Sequence, residues 1–375
     1  MMFYTLRLLP IVAMSVSAVV IPSPPGQYDV FYNTAKMIEK TRVDPFDPHH
    51  GPRSVMTSVF APTNCNVDLE TIDYLPPATA KYYSNLYSAY GLPNGSLQSL
   101  SFQACPEPPK GHHLHFPVVI FSPALGTTRL FYNVIAQAVA SVGYIVVSID
   151  HPYDTEFLEF PDGSVVTAEN ITDDQVPLDV TTRARDVSFV LDQLSRKAGV
   201  TALLPGTEAA GLRTQEVAMY GHSVGGAATA AAMLLDSRII AGANLDGSMF
   251  GPVVQKGLKG PFLLFGHESK TQTTDPTWKE TWSNLRGWKL ELEMANAQHY
   301  TFSDLSYLLK LLALPVERVP AIQMMVGTLD GFKGFEIIHR TLVAFLGFGL
   351  RQTSDSPINE AISKYSEVSV FAHSE

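Results

Sequence analysis

Apolar positions along this chain follow two periods. Short unbroken runs at 116–121, 144–149, 217–220, 239–245 and 262–265 lack the polar alternation of a half-exposed strand and predict strands buried on both faces. A further strand is predicted at 288–294. Between the runs, apolar residues recur at helical spacing. Leu130, Val134 and Ala138 share one stripe, with Phe131, Ile135 and Val142 beside it, and Gly143 supplies a stop. Val187, Val190, Leu191 and Leu194 mark a second helix ending before Gly199, 224–235 an Ala-rich third, and 335–346 a last apolar one. Strands alternating with helices predict an α/β protein: a mostly parallel central sheet covered by helices on both faces.

The stretch 21–109 breaks this rhythm. It is dense in Pro, Tyr, Asn and Ser, and only 53–60 alternates like an edge strand or hairpin arm. Four segments follow: a leader at 1–18, a Pro-rich N-terminal elaboration with edge strands at 19–110, a core of alternating strands and helices at 111–350, and a loosely held polar tail at 351–375.

Composition narrows the function. With 375 residues, 46% hydrophobic and 17% charged, the chain can bury a large core, which excludes wholesale disorder. Its formal charge of −10, with no basic stripe, argues against a nucleic-acid partner. Arg7, the apolar stretch 8–16 and the small residues Ser17 and Ala18 have the form of a secretory signal peptide cleaved after Ala18. The rival reading, an uncleaved anchor, is opposed by Pro10 and by a length below the ~20 residues a span needs. Secretion is therefore expected. It is consistent with two sequons, at Asn94 and Asn170, as glycan acceptors. Cys65 and Cys105 lie in one region, where an oxidising compartment would close a single disulfide; a reduced, buried pair is the alternative.

The chemistry centres on Gly221-His222-Ser223-Val224-Gly225, between a strand and an Ala-rich helix. A G-x-S-x-G there forces a sharp turn that thrusts the Ser223 hydroxyl out at the sheet's carboxyl edge, and the flanking glycines let strand and helix approach. The Val224 amide, at the helix start, then points toward a developing oxyanion. A serine needs a base and an orienting acid, and in hydrolases of this kind they follow in the order Ser, Asp or Glu, His. His299 lies on a loop just past a strand end, where ligands bind in open sheets. His339 falls inside a helix, His373 in the tail, and His267 leaves little chain for an acid to precede it. Asp246, in Asp-Gly after an apolar strand, is favoured as the acid, with Glu268 its rival. The second oxyanion donor is expected in the loop 122–127, at the Leu125 amide.

Four blocks, Phe121-Ser-Pro-Ala-Leu-Gly126, Gly221-His-Ser-Val-Gly-Gly226, Leu245-Asp-Gly-Ser-Met-Phe250 and Gln298-His-Tyr-Thr-Phe-Ser-Asp304, resemble those of platelet-activating-factor acetylhydrolases of the plasma type, in the α/β-hydrolase superfamily. The resemblance covers roughly 53–304. It implies Ser223 as nucleophile, Asp246 and His299 as its partners, and the Leu125 and Val224 amides as the oxyanion hole. Two positions depart from the pattern: Ala124 stands where the family usually has Gly, and Ser248 replaces a bulky aromatic beside the acid, which changes the pocket wall.

Other features are read as structural. His112, His113 and His115, like His49 and His50, lack a nearby carboxylate or thiolate ligand set, so no metal site is expected. Trp278, Trp282 and Trp288 form either a lid or interfacial patch near the site or, more simply, a packed helix face. The expected function is that of a secreted serine esterase releasing short acyl groups, foremost the sn-2 acetyl of phospholipids resembling platelet-activating factor. It needs no cofactor and no metal. Its partners are a small ester or phospholipid, with transient contact to a lipid interface left open and a monomer as the default. The alternatives are a general carboxylesterase, including cutinase-like and dienelactone-hydrolase-like enzymes, and a non-catalytic binding protein on the same fold.

Overall fold

The unbroken apolar runs become neighbouring strands of one sheet. The computed structural model describes residues 18–207, 210–314, 316, 319–351 and 353–374; the leader up to residue 17, and the side chains of His112 and His113, lie outside what is described. Nine strands form the main sheet: β1 (Asp29–Val43), β2 (Pro52–Thr63), β3 (Val118–Ser122), β4 (Ile145–Asp150), β5 (Val217–His222), β6 (Ile239–Leu245), β7 (Phe262–His267), β8 (Lys289–Met294) and β9 (Val368–His373). Their spatial order is β9-β8-β7-β6-β5-β3-β4-β2-β1. The stretch from β8 to β4 is parallel throughout.

Side chains on successive residues leave opposite faces, and each face has its own helices. Val119, Phe121, Ala218 and Tyr220 point to the side packed by α1 (Asn133–Ser141) and the long C-terminal helix Gly331–Gly349. Val118, Ile120, Val217 and Met219 pack against Val187, Val190, Leu191 and Leu194 of α2 (Val176–Leu194) on the other. Because both faces are covered, the central strands could carry no polar alternation, which is why they read as solid apolar runs.

Two regions differ from expectation. Residues 29–63, read as part of an elaboration, form a long antiparallel hairpin, and β2 lies inside the sheet, paired with β4 on its other side. The sheet thus draws on both sides of the expected 110/111 boundary. The tail, expected to be loosely held, contains the helix Ser356–Ile362 and then β9, which adds antiparallel to β8 and so continues the sheet. Its backbone groups are thereby paired along an otherwise open edge. Cys65 and Cys105 form a disulfide, with 5.7 Å between their Cα atoms, that ties the end of the hairpin to a small three-stranded sheet.

The chain leaves β3 toward β4 and returns on the other side of β3 to enter β5. The strand order reverses at β3 and β5, and the crevice outside their carboxyl ends is where such sheets hold ligands.

Candidate active site

Four neighbouring strand ends, β5 through β8, supply the site. β5 ends at His222, and Ser223 follows at φ 56°, ψ −124° as the cap of α3 (Val224–Leu235). The turn closes only because glycine flanks it. A Cβ on Gly221 would stand 2.1 Å from the Gly225 carbonyl oxygen, and one on Gly225 would stand 2.1 Å from that of Ser122. The Ser223 N–H continues the ladder by donating to the Leu245 carbonyl at 2.8 Å. Its side chain is half-buried beside the first turn of α3.

Asp246 follows β6 at φ 64°, with its N–H on the Phe265 carbonyl at 2.9 Å. The turn after it is locked from two sides. The Asn244 side chain spans Gly247, accepting its N–H and donating to its carbonyl, each at 2.7 Å, and the buried Trp278 indole donates to the same carbonyl at 2.6 Å. Trp278 is therefore a structural wedge. Trp282 lies under the Lys289 ammonium and Trp288 packs on Phe348, so none of the three tryptophans forms a lid. Ser248, where the resembled family usually has a bulky aromatic, donates to Asp275 at 2.6 Å, and Lys270 bridges both, so a polar cluster stands close to the acid.

His299 begins the short helix after β8 and places its Nδ1 2.5 Å from Asp246 Oδ2. Glu268, the rival acid, is exposed and accepts the Asn296 N–H instead. The surprise is His267, the last residue of β7. Its Nδ1 lies 2.6 and 2.8 Å from the two oxygens of Asp246, and its own N–H donates to Oδ1 at 2.9 Å. Burial alone would raise the Asp246 carboxyl, but the hydrogen bonds from His267 and His299 outweigh it and hold the group well below the usual carboxylate range.

His222, the variable residue of the pentapeptide, is fully buried with its ring 4.5 Å from that of His299 and its Nδ1 2.7 Å from the Tyr132 hydroxyl. Burial, aided by the neighbouring His299, holds it well below the usual histidine range, so it stays neutral. His222, Asp246 and His299 bring ligand-capable atoms within 4.8 Å of one another, but those of Asp246 and His299 are spent on each other. His339 packs inside its helix, with Nε2 3.3 Å from the Ala138 carbonyl, and His373 lies on the edge strand β9.

The loop after β3 passes beside α3. Leu125 is half-buried, and its N–H meets no acceptor among the described residues. The loop is held from below by Arg183 on α2, whose guanidinium donates to the Pro123 carbonyl at 2.5 Å and to Asp154 at 2.8 Å, while the Asp154 carbonyl accepts the Gly126 N–H at 2.9 Å. The loop is thus tied on both sides of Leu125, at Pro123 and at Gly126, to one buried ion pair. Ala124 has ordinary backbone geometry, the positive φ falling on Gly126, so the loop tolerates alanine there. Sequence reasoning missed this support because its members lie far apart in the chain.

Residues 94–158 match the sequence model of the family described as platelet-activating factor acetylhydrolase, isoform II. The chain is 30% identical to a probable 1-alkyl-2-acetylglycerophosphocholine esterase of Arthroderma benhamiae, with 94% of each chain covered. A ferulic acid esterase from Streptomyces cinnamoneus superposes with a TM-score of 0.80 at 26% identity, over 95% of this chain and 100% of its own. Likeness sustained over nearly the whole of both sequences, on a fold shared with a second esterase, makes this chain a member of the platelet-activating factor acetylhydrolase family and a carboxylic ester hydrolase of the α/β-hydrolase fold.

Proposed function

We propose that this esterase is secreted and removes short acyl groups, above all the sn-2 acetyl of phospholipids resembling platelet-activating factor, through Ser223, His299 and Asp246. The observation that carries the reading is the Asp246–His299 hydrogen bond, made at the strand end next to a serine held on a positive-φ turn at a helix N-terminus. His299 takes the Ser223 proton as Oγ attacks the ester carbonyl, and Asp246 stabilises the imidazolium that forms. The Leu125 and Val224 amides receive the oxyanion. The imidazolium then protonates the departing alcohol, and water, activated by the same histidine, releases the acid from the acyl-enzyme. The chemistry calls on no metal or cofactor.

Secretion is supported by the leader pattern and by the disulfide, which persists in oxidising compartments. Asn94 and Asn170 are both exposed, as glycan acceptors must be. The acetyl preference draws on the activity named for the Arthroderma relative. A second reading, a general carboxylesterase, draws on the likeness to the ferulic acid esterase and on the polar cluster at Ser248. The deciding experiment measures acyl release from phosphatidylcholines that differ only in the sn-2 chain, acetyl through palmitoyl, with Ser223→Ala as the blank. Strong acetyl preference supports the first reading. Cleavage of soluble short esters and feruloyl esters without phospholipid turnover overturns it in favour of the second.

A further inference from the structure

Asp246 holds two imidazoles, and acyl transfer uses one. The second, on His267, arrives through the sheet itself. Parallel pairing sets Leu245 opposite Phe265, so β7 runs on by two residues and brings position 267 back against the carboxylate that follows β6. Asp246 is buried and ionised, and an ionised carboxylate only accepts hydrogen bonds. Each histidine therefore carries a proton on Nδ1. For His299 this is the tautomer that takes a proton from serine.

The backbone N–H at 267 already satisfies Oδ1 and would do so with any residue there except proline. The imidazole adds something the backbone cannot. A carboxylate held through one oxygen keeps a soft terminal torsion. The His267 Nδ1–H lies within 2.8 Å of both oxygens, and with the backbone donor it fixes the plane of the group. Oδ2 is then presented to His299 in one orientation. The His267 side chain is 25% exposed, so it fills no core cavity that would explain its place by packing alone.

We infer that His267 is a positioning residue for acyl transfer, orienting the Asp246 carboxylate toward His299 through its Nδ1–H. The inference rests on the reading of Ser223, His299 and Asp246 as the reacting set. Its signature is a change in kcat without a change in substrate binding, because His267 acts through Asp246. A misplacement of about 1 Å in such a constellation costs up to about a hundredfold in rate.

Two full-length variants test it on a soluble acetyl ester, with kcat, KM and thermal midpoint measured for each. His267→Leu removes the donor, and His267→Asn offers an amide N–H near the Nδ1 position. The expected result is a fall in kcat of about ten- to a hundredfold for His267→Leu at nearly constant KM and midpoint, with most of the loss recovered in His267→Asn. Wild-type kcat in His267→Leu overturns the inference. So does an Asn variant no better than the Leu one, or a kcat loss that tracks a rise in KM and a drop in midpoint. Ser223→Ala and His299→Ala run alongside separate the two levels. If both are inactive while His267→Leu is fully active, only the role of His267 falls; if either keeps turnover, the reading beneath it falls as well.

Discussion

Ser223 and Asp246 stand at the ends of adjacent parallel strands, each at a positive φ, 56° and 64°. Each donates its N–H to the next strand over, Ser223 to Leu245 and Asp246 to Phe265, so the ladder runs one rung beyond the sheet before the chain turns. A positive φ in a residue with a Cβ costs about 1–3 kcal/mol and persists where surrounding bonds over-determine it. Here the paired rungs do so, and the two side chains leave the same sheet edge as a result.

From that arrangement the first prediction follows. Ser223→Ala and His299→Ala should remove essentially all turnover of a short ester while leaving the thermal midpoint near that of the wild type. Asp246→Asn should cost roughly a thousand- to ten-thousandfold in kcat, since an amide cannot fix the His299 tautomer. Steady-state kinetics beside circular dichroism checks all three, and near-normal activity in either alanine variant would sink the assignment.

Arg183 carries a prediction about the loop that holds Leu125. Its guanidinium is fully buried, gripping Pro123 through one nitrogen and Asp154 through another, with Asp179 close by. Removing one partner of a buried pair leaves an unpaired charge and costs about 3–5 kcal/mol. Arg183→Leu should therefore fold poorly. Arg183→Lys keeps the charge but has no planar fork to reach both acceptors. It should remain folded, with kcat reduced about tenfold or more and KM little changed, because the loss falls on the proposed oxyanion donor. Equal kcat in Arg183→Lys and wild type would show that the loop holds its shape without the fork.

Much of this site was legible because its signals are local. The Ser223 turn announces itself in five consecutive residues between a strand and a helix, and Asp246 and His299 each follow an apolar run whose end could be read directly. His267 was passed over because chain order was the only guide, and order says nothing of two imidazoles meeting one carboxylate. β1 was missed for another reason. Its face alternates irregularly between buried and exposed positions, with Lys36, Glu39, Lys40 and Arg42 along it, as suits an edge strand with one side toward water. The tail strand β9 is short, largely exposed and follows a polar stretch, so only its pairing with β8 identifies it. The supporting ions Arg183 and Asp154 are buried charges, a class that composition assigns to the surface.

The disulfide gives a prediction independent of catalysis. It closes a loop between positions 40 residues apart, and the chain-entropy account gives about 4 kcal/mol for a loop of this length. Replacing both cysteines by alanine should lower the urea-unfolding free energy by a comparable amount while kcat on soluble esters stays within about twofold, as neither cysteine touches the strand ends that hold the site. A double variant as stable as the wild type, confirmed free of other cross-links, would argue that the loop is held by its contacts alone.

Buried neutral histidines should make the protein sensitive to acid, and His339 isolates the effect. It lies inside Gly331–Gly349, buried against α1, with its Nε2–H on the Ala138 carbonyl. Burial is the main reason its imidazole is pushed down to about 4 from the usual 6.5, with the Arg340 charge adding to the shift and the Ala138 bond opposing it. The folded state therefore binds a proton less readily than the unfolded chain. Above about pH 6.5 neither state is protonated there and the full stability is present. As the pH falls from about 6.5 to about 4 the unfolded chain takes up a proton that the folded one refuses, and stability is lost at up to about 1.4 kcal/mol per pH unit. His339→Leu removes this linkage. Between about pH 7 and about pH 5 the wild type should lose about 2 kcal/mol more unfolding free energy than the variant, whatever the variant's stability at neutral pH. His151, pushed down to about 4 chiefly by burial, contributes to the slope in both proteins and cancels in the comparison. Parallel pH dependences for the two proteins would mean that the His339 pocket admits the charged ring.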